Sequence, residues 1–374
     1  MDYDSGLEAA SIMASSVAPT DVFAGSPYNL DDKTSLSSLS NELDMSSSHR
    51  QRNGSATTAT MTTTIRVEVD TPFLEKDHAH IYARKPPARD RKPQLLNWDS
   101  IPAWHQDNDF ILRGYRPISY SWQECVRSWT YMHNESLNIY THLVPALLFV
   151  GAQSSLQTYL SASYPLASTL DRCIFAFFFA TAAVCLGLSA AFHTLLNHSQ
   201  PVSALMLRLD FVGILVLILG KFVSGIYVGF LCEPALKRAY WLMIVTLGSA
   251  SITVLLSPKY QGSRYRTFRL CTFVATAMSG FIPIMHGVAR FGWAQSWIQS
   301  GMKYYLLEGL ILAVGAIFYS LKAPECYKPG RFDMVGASHQ IFHVLVVVAA
   351  LVHFWGILDA FDYGYHHRFC RVAL

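Results

Sequence analysis

From about Leu137 to residue 359 the chain repeats one pattern: an apolar run of spanning length, a short polar break, then another apolar run. About 20 helical residues cross the hydrocarbon core of a bilayer. Seven runs fit that length, over 138–159, 172–193, 209–231, 238–257, 267–288, 304–322 and 339–359. Strand-type alternation is absent, and a backbone in lipid must satisfy its own hydrogen bonds, so the runs are read as helices. The expected fold is an all-α integral membrane protein, a seven-helix transmembrane bundle over 137–360, in the plasma membrane or an endomembrane.

The polar positions are concentrated elsewhere. Residues 1–95 are rich in Ser, Thr, Asp, Lys and Arg and bury too little apolar surface to offset ordering entropy, so they read as a disordered tail. The tail ends in the basic cluster Lys85–Lys92, read as a solvated linker. No charged n-region followed by an apolar h-region opens the chain, and no cleaved signal peptide is expected. Within the membrane-proximal segment 96–136, Trp122, Val126 and Trp129 fall at i, i+4 and i+7, the pattern of a short amphipathic helix lying at the interface. Residues 361–374 are left as a short terminal tail. Composition agrees: 51% of residues are hydrophobic and 15% charged, against roughly 25% charged in soluble proteins.

Charge near the span ends sets the orientation. Lys and Arg are more numerous on the side shared with the N-terminus, and the loop between spans four and five contributes Lys259, Arg264, Arg266 and Arg269. This predicts a cytoplasmic N-terminus and an extracellular or lumenal C-terminus. Seven cysteines are scattered singly with no Cys-x-x-Cys pair, which supports neither a thiolate metal site nor a redox motif. Cys173, Cys232 and Cys370 approach the outer side and are candidates for pairing in some combination; free thiols are expected for most of the seven.

Candidate chemistry gathers at one level. His339 and His343 lie one turn apart on a helix face, and His193 closes span two. With alternating helix directions, all three reach the cytoplasmic side. Imidazole suits zinc, and three histidines with an open fourth position lower the pKa of a bound water to about 7. Ser189 lies one turn before His193. Asp210, at the opening of span three, has two readings: a helix N-cap, or a partner of the metal-bound water. Glu135, Asn138 and His142, at the start of span one, complete a polar layer, and ionisable groups at membrane depth usually mark function. A single histidine at a helix end ordinarily makes interfacial hydrogen bonds, and His198, His286 and His353 are read that way.

Four segments carry a resemblance: His133–His142 (HNESLNIYTH), Ser189–Thr194 (SAAFHT), Leu209–Gly213 (LDFVG) and Ser338–His343 (SHQIFH), with Asn97–Pro102 and Arg113–Arg116 before them. They resemble the signature motifs of the progestin and adipoQ receptor family over roughly residues 97–358. The adiponectin receptor-like branch, with its fungal members linked to zinc and lipid homeostasis, is nearer than the haemolysin-III proteins. The resemblance implies seven helices with a cytoplasmic N-terminus, Zn²⁺ held near the cytoplasmic face by His193, His339 and His343, and Asp210 and Ser189 beside the metal-bound water. It also implies hydrolysis of the amide bond of ceramides as the candidate activity.

One departure stands out from that pattern. Lys221 lies about halfway along span three, where the family more often has a small residue. A midspan lysine costs about 2.5–3.5 kcal/mol on insertion scales, and Glu308 in span six is the candidate partner. The reading reached from the sequence is a zinc-dependent lipid amidohydrolase with Asp210 and Ser189 as catalytic groups; the alternative is a receptor or sensor in which zinc is only structural. Membrane lipids, ceramide-like among them, and an extracellular ligand are the expected partners; nucleic acid is not. A desaturase-type diiron centre lacks its histidine boxes, since His366 and His367 fall on the opposite side. A rhodopsin-like receptor lacks its Asp/Glu-Arg-Tyr and Asn-Pro-x-x-Tyr signatures. Gly225 and Gly229 form a Gly-x-x-x-Gly spacing that could support helix contact.

Overall fold

The computed structural model describes residues 94–260 and 263–367. The expected N-terminal tail and its basic cluster fall outside the described residues apart from residues 94 and 95, as do residues 368–374 of the expected C-terminal tail. A two-stranded antiparallel ladder, β1 (Leu96–Asn97) with β2 (Arg113–Tyr115), precedes the bundle. Helix α1 (Trp122–Arg127) follows, then α2 (Ser136–Ser163), α3 (Thr169–Leu195), α4 (Gln200–Gly229) and α5 (Pro234–Leu256). The chain continues through α6 (Arg266–Met278), α7 (Phe281–Phe291), α8 (Trp293–Gln299), α9 (Met302–Ser320) and α10 (Ser338–His367). Seven helices among the described residues are long and apolar enough to cross a membrane, α6 and α7 together counting as one.

The helices run past the apolar runs because capping chemistry, not hydropathy, ends them. Ser168 and Asp171 form a reciprocal capping box that starts α3 three residues before the predicted span. Pro201, whose missing N–H costs nothing in a first turn, starts α4 at Gln200. Asp210 therefore lies in the third turn of α4 and cannot cap it, which removes one of its two readings. The predicted fifth span is broken at Ser279–Gly280. Pro283 has no N–H to give to the Ser279 carbonyl, and Ile282 N takes that carbonyl at 3.1 Å instead. A Cβ at Gly280 would stand 2.6 Å from Phe222 Cζ, so the glycine at the break makes room for that ring of α4.

Helix α3 packs between α2 and α4, and α10 closes the ring against α2, α4 and α9. Phe178, Ala182 and Leu186 of α3 meet Ala350 and Ile357 of α10 in the core, all fully buried. The outer faces carry exposed Leu147, Leu148, Leu242, Met285, Leu310 and Leu351, a surface that only lipid or a partner can cover. Gly225 and Gly229 are spent inside the chain, where a Cβ would sit 3.2 Å from the Tyr305 hydroxyl and 3.4 Å from Ser300 Cβ respectively. On α1, Trp122 and Val126 are exposed while Cys125 is buried, so the helix turns apolar side chains outward. Cys232 is disulfide-bonded, whereas Cys173 is free.

The Lys221–Glu308 pair expected from the sequence is present. Lys221 Nζ lies 2.6 Å from Glu308 Oε1. His353, expected to make an interfacial contact, is instead buried in the middle of α10, with Nδ1 2.8 Å from Glu308 Oε2 and Nε2 3.0 Å from Ser224 Oγ. Removing one partner of a buried ion pair strands the other. Lys221→Met and Glu308→Gln should each destabilise by about 3–5 kcal/mol, with the double variant recovering most of the loss. Thermal unfolding of the four proteins in detergent closes this cycle, and strict additivity would show that the two charges do not interact.

A candidate metal centre at one end of the bundle

The last turn of α3 and the first turns of α10 end side by side and supply His193, His339 and His343. Their ring centroids are 5.0 Å (His193–His339), 4.9 Å (His193–His343) and 4.6 Å (His339–His343) apart. One nitrogen from each lies within 4.8 Å of the others. The free nitrogens are defined by what the opposite ring atoms do. His193 Nδ1 donates to Glu135 Oε2 at 2.7 Å, and its Nε2 is buried with no hydrogen-bond partner. His343 Nδ1 lies 3.1 Å from the Asn138 carbonyl, which can only accept, so the proton sits on Nδ1 and the Nε2 lone pair is left. A buried imidazole nitrogen with a lone pair and no donor facing it is the group that a metal ion completes.

The other predicted residues surround this group. Asn138 Nδ2 donates to Glu135 Oε2 at 2.7 Å. Burial alone would raise the Glu135 carboxyl, but the His193 hydrogen bond, the Asn138 amide and Arg116 hold it below the usual carboxylate range. It is therefore an anion that polarises His193. The His142 ring stacks on His343 with centroids 3.7 Å apart and planes 4° from parallel. Its Nδ1 is 2.8 Å from Ser189 Oγ. Asp210 stands beside Ser189 and within electrostatic reach of His193. Thus Asp210, Ser189, Glu135, Asn138 and His142 all gather around the three histidines. His198 and His286 do not: His198 meets Ser199 Oγ at 3.0 Å and His286 meets the Tyr240 hydroxyl at 2.5 Å.

Several residues that hold the site were not singled out from the sequence. Arg116, named from the sequence only within the Arg113–Arg116 segment, is 1% exposed and donates to the carbonyls of His193 at 2.6 Å and Thr194 at 3.0 Å and to Ser128 Oγ at 2.7 Å. It satisfies the orphan carbonyls at the end of α3 and complements the helix dipole. Its signal was the Arg113–Arg116 run, in which Gly114 adopts φ +92° and a Cβ would stand 2.7 Å from Met334 Sδ. Glu325, fully buried, does the converse for α10. It accepts from Ser338 N at 2.8 Å, from the Ser338 hydroxyl and from Asn108 Nδ2 at 3.1 Å. Leu112 N also donates to Asp333 Oδ1 at 2.9 Å, tying the membrane-proximal segment to the α9–α10 loop. Burial, then the charge of Glu135, pushes the Asp107 carboxyl up to about 6 in that segment.

All three histidines open on a cavity of about 1030 Å³. It is lined by Asp107 and Trp104 of the membrane-proximal segment, by Ser189 and Asp210 beside the histidines, and by the apolar Leu217, Phe222, Ile226 and Leu312. At the far end it reaches Lys221, Glu308 and His353. The arrangement can hold a cation against neutral imidazoles, place a carboxylate and a hydroxyl next to it, and accommodate a long apolar group.

Comparison with known proteins converges on the same region. The family described as haemolysin-III related matches residues 130–354. The chain is 37% identical to the ADIPOR-like receptor IZH2 of Saccharomyces cerevisiae over 72% of its own length and 84% of the relative's. It is 37% identical to the adiponectin receptor protein of Drosophila melanogaster over 75% of its length, an alignment that spans 63% of the fly protein. Heptahelical transmembrane protein 1 of Arabidopsis thaliana matches at 31% identity over 74% of the chain and 84% of the relative. With the matched region enclosing the seven helices almost entirely, the chain belongs to the haemolysin-III related family of adiponectin receptor-like, multi-pass membrane proteins.

Proposed function

We propose that this protein is a zinc-dependent hydrolase of lipid amides, ceramide-like in class, whose substrate enters from the membrane. The observation that carries the reading is the opening of the three-histidine group, with Asp210 and Ser189 beside it, onto a largely apolar cavity of about 1030 Å³. The donor set suits zinc: His193, His339 and His343 would hold it, and for His193 and His343 the tautomer that frees Nε2 is set by Glu135 and the Asn138 carbonyl. When bound, zinc lowers the pKa of a coordinated water to about 7 and polarises an amide carbonyl.

The chain's own groups supply the rest. Asp210 accepts the proton of the attacking water and returns it to the leaving amine. Ser189, whose hydroxyl donates to His142 Nδ1 because His142 Nε2 faces the His343 carbonyl, turns that O–H to the oxygen that gains charge. The walls contributed by α4, α7, α9 and α10 exclude water and take the acyl chain. The excess of Lys and Arg on the N-terminal side supports placing this end of the bundle at the cytoplasmic face, with the C-terminus extracellular or lumenal. Two relatives are named receptors, which motivates the alternative of a structural zinc tying α3 to α10. Structural sites usually close with four protein ligands, and the cluster among the described residues has three, which favours the catalytic reading.

Metal analysis by mass spectrometry of detergent-purified protein should find about one zinc per chain, lost with ceramide turnover in His339→Ala/His343→Ala. Asp210→Asn should keep the zinc while turnover falls by about 10²–10⁴-fold. Zinc without lipid amide turnover in the wild type would overturn the hydrolase reading, and no zinc would overturn both readings. Glu135→Gln retains a hydrogen-bond acceptor but not the charge. It should weaken zinc affinity by roughly 10–100-fold in chelator competition; unchanged affinity would remove Glu135 from the support of His193.

A further inference from the structure

The far end of the cavity holds a second polar group that the proposed hydrolysis does not use. Lys221, Glu308 and His353 are 9%, 8% and 2% exposed, yet all three line the cavity wall. Lys221 follows Asp210 by eleven positions on α4 and His353 follows His343 by ten on α10. At 1.5 Å per residue this sets the group about 15 Å from the histidine level. A buried ion pair is commonly matched or bettered in stability by apolar residues of the same size, so bracing the bundle does not by itself account for it.

A census of its hydrogen bonds shows which valences are open. Glu308 Oε1 takes Lys221 and Oε2 takes His353 Nδ1, while His353 Nε2 meets Ser224 Oγ. The ammonium of Lys221 has three N–H donors, and among the described residues its polar partner is Glu308 alone. The Tyr305 hydroxyl, on a ring packed 5.5 Å from His353, is shielded and has no partner, and Tyr305 also lines the cavity. The open valences are thus two ammonium donors of Lys221 and a Tyr305 hydroxyl that can donate or accept. A wholly apolar chain lying there would leave them unpaired, which is costly. An anionic group would set a second negative charge beside Glu308, whose charge Lys221 already balances.

We infer that Lys221, with Glu308, His353 and Tyr305, forms a second binding station that takes a neutral hydroxyl carried partway along the apolar chain of the bound lipid. This rests on the reading that the cavity holds a lipid, and it adds the chemical class: a chain oxygenated at a distance from the group held at the histidines.

The test uses the full chain in nanodiscs, with displacement of a fluorescent long-chain fatty acid by octadecanoic acid and by its isomers hydroxylated near the carboxyl, at mid-chain and near the methyl end. The mid-chain isomer should bind about tenfold more tightly than the parent acid. That preference should vanish in the charge-neutral Lys221→Met/Glu308→Gln protein and shrink in Tyr305→Phe, which removes a single oxygen and serves if the double variant fails to fold. Equal affinity of the wild type for parent and hydroxylated acids would overturn the station and leave the lipid-binding reading standing. A preference that persists in both variants would also overturn it. Displacement by none of the acids would sink the lipid-filled cavity, and the station with it.

Discussion

The histidine group exists because two helix ends are held against each other. A helix terminus leaves backbone groups without partners, and in a bilayer the termini are where an otherwise self-satisfied chain must find outside help. Here the help comes from two buried ions of opposite sign. Arg116 donates to carbonyls in the last turn of α3, and Glu325 accepts from the first amide and hydroxyl of α10. Each charge complements the dipole it meets. Because His193 lies in the turn that Arg116 clamps and His339 lies next to Ser338, the distance between the histidines is set by these two caps. The short membrane-proximal segment that carries Arg116 is therefore part of the site's architecture, not a connector.

That dependence explains what could and could not be read from the sequence. The seven helices follow from apolar length alone, and the His339/His343 pair follows from one-turn spacing, because both signals are local. The convergence of His193 with them follows from alternating helix direction, which needs only the helix count. Helix ends did not follow: the apolar run of the third span begins after Arg208, whereas the helix begins at Gln200, since a capping proline and a solvated first turn leave no mark in hydropathy. The interruption at Ser279–Gly280 was equally invisible to hydropathy, although Pro283 announced it. The burial of Arg116 and Glu325 carries no local signal, because it depends on segments that meet only in the folded chain.

His353 is the instructive misreading. Considered alone, a histidine in an apolar helix has an unremarkable interpretation, and nothing within one turn of it on α10 is charged. Its role depends on Glu308 from α9 and Ser224 from α4. Lys221 gave the clue, because a lysine in lipid demands a counter-charge and Glu308 was the available one. The sequence thus contained the pair but not the third member, which geometry alone adds.

The cavity joins two polar levels of opposite chemical character. At the helix ends the open valences are nitrogen lone pairs: His193 Nε2 has no partner, and its other nitrogen is already committed to Glu135. Lone pairs with a carboxylate behind them attract a cation. At mid-depth the carboxylate oxygens of Glu308 are already taken, and what remains open are donors of Lys221 and Tyr305. Donors whose charge is already balanced attract a neutral oxygen. Between the two levels the wall is apolar. A ligand that satisfies the whole cavity must therefore be amphipathic twice over, with a polar group at each level and hydrocarbon between. The cost of leaving either level unpaired in a low-dielectric interior would make that pattern a source of selectivity among ligands.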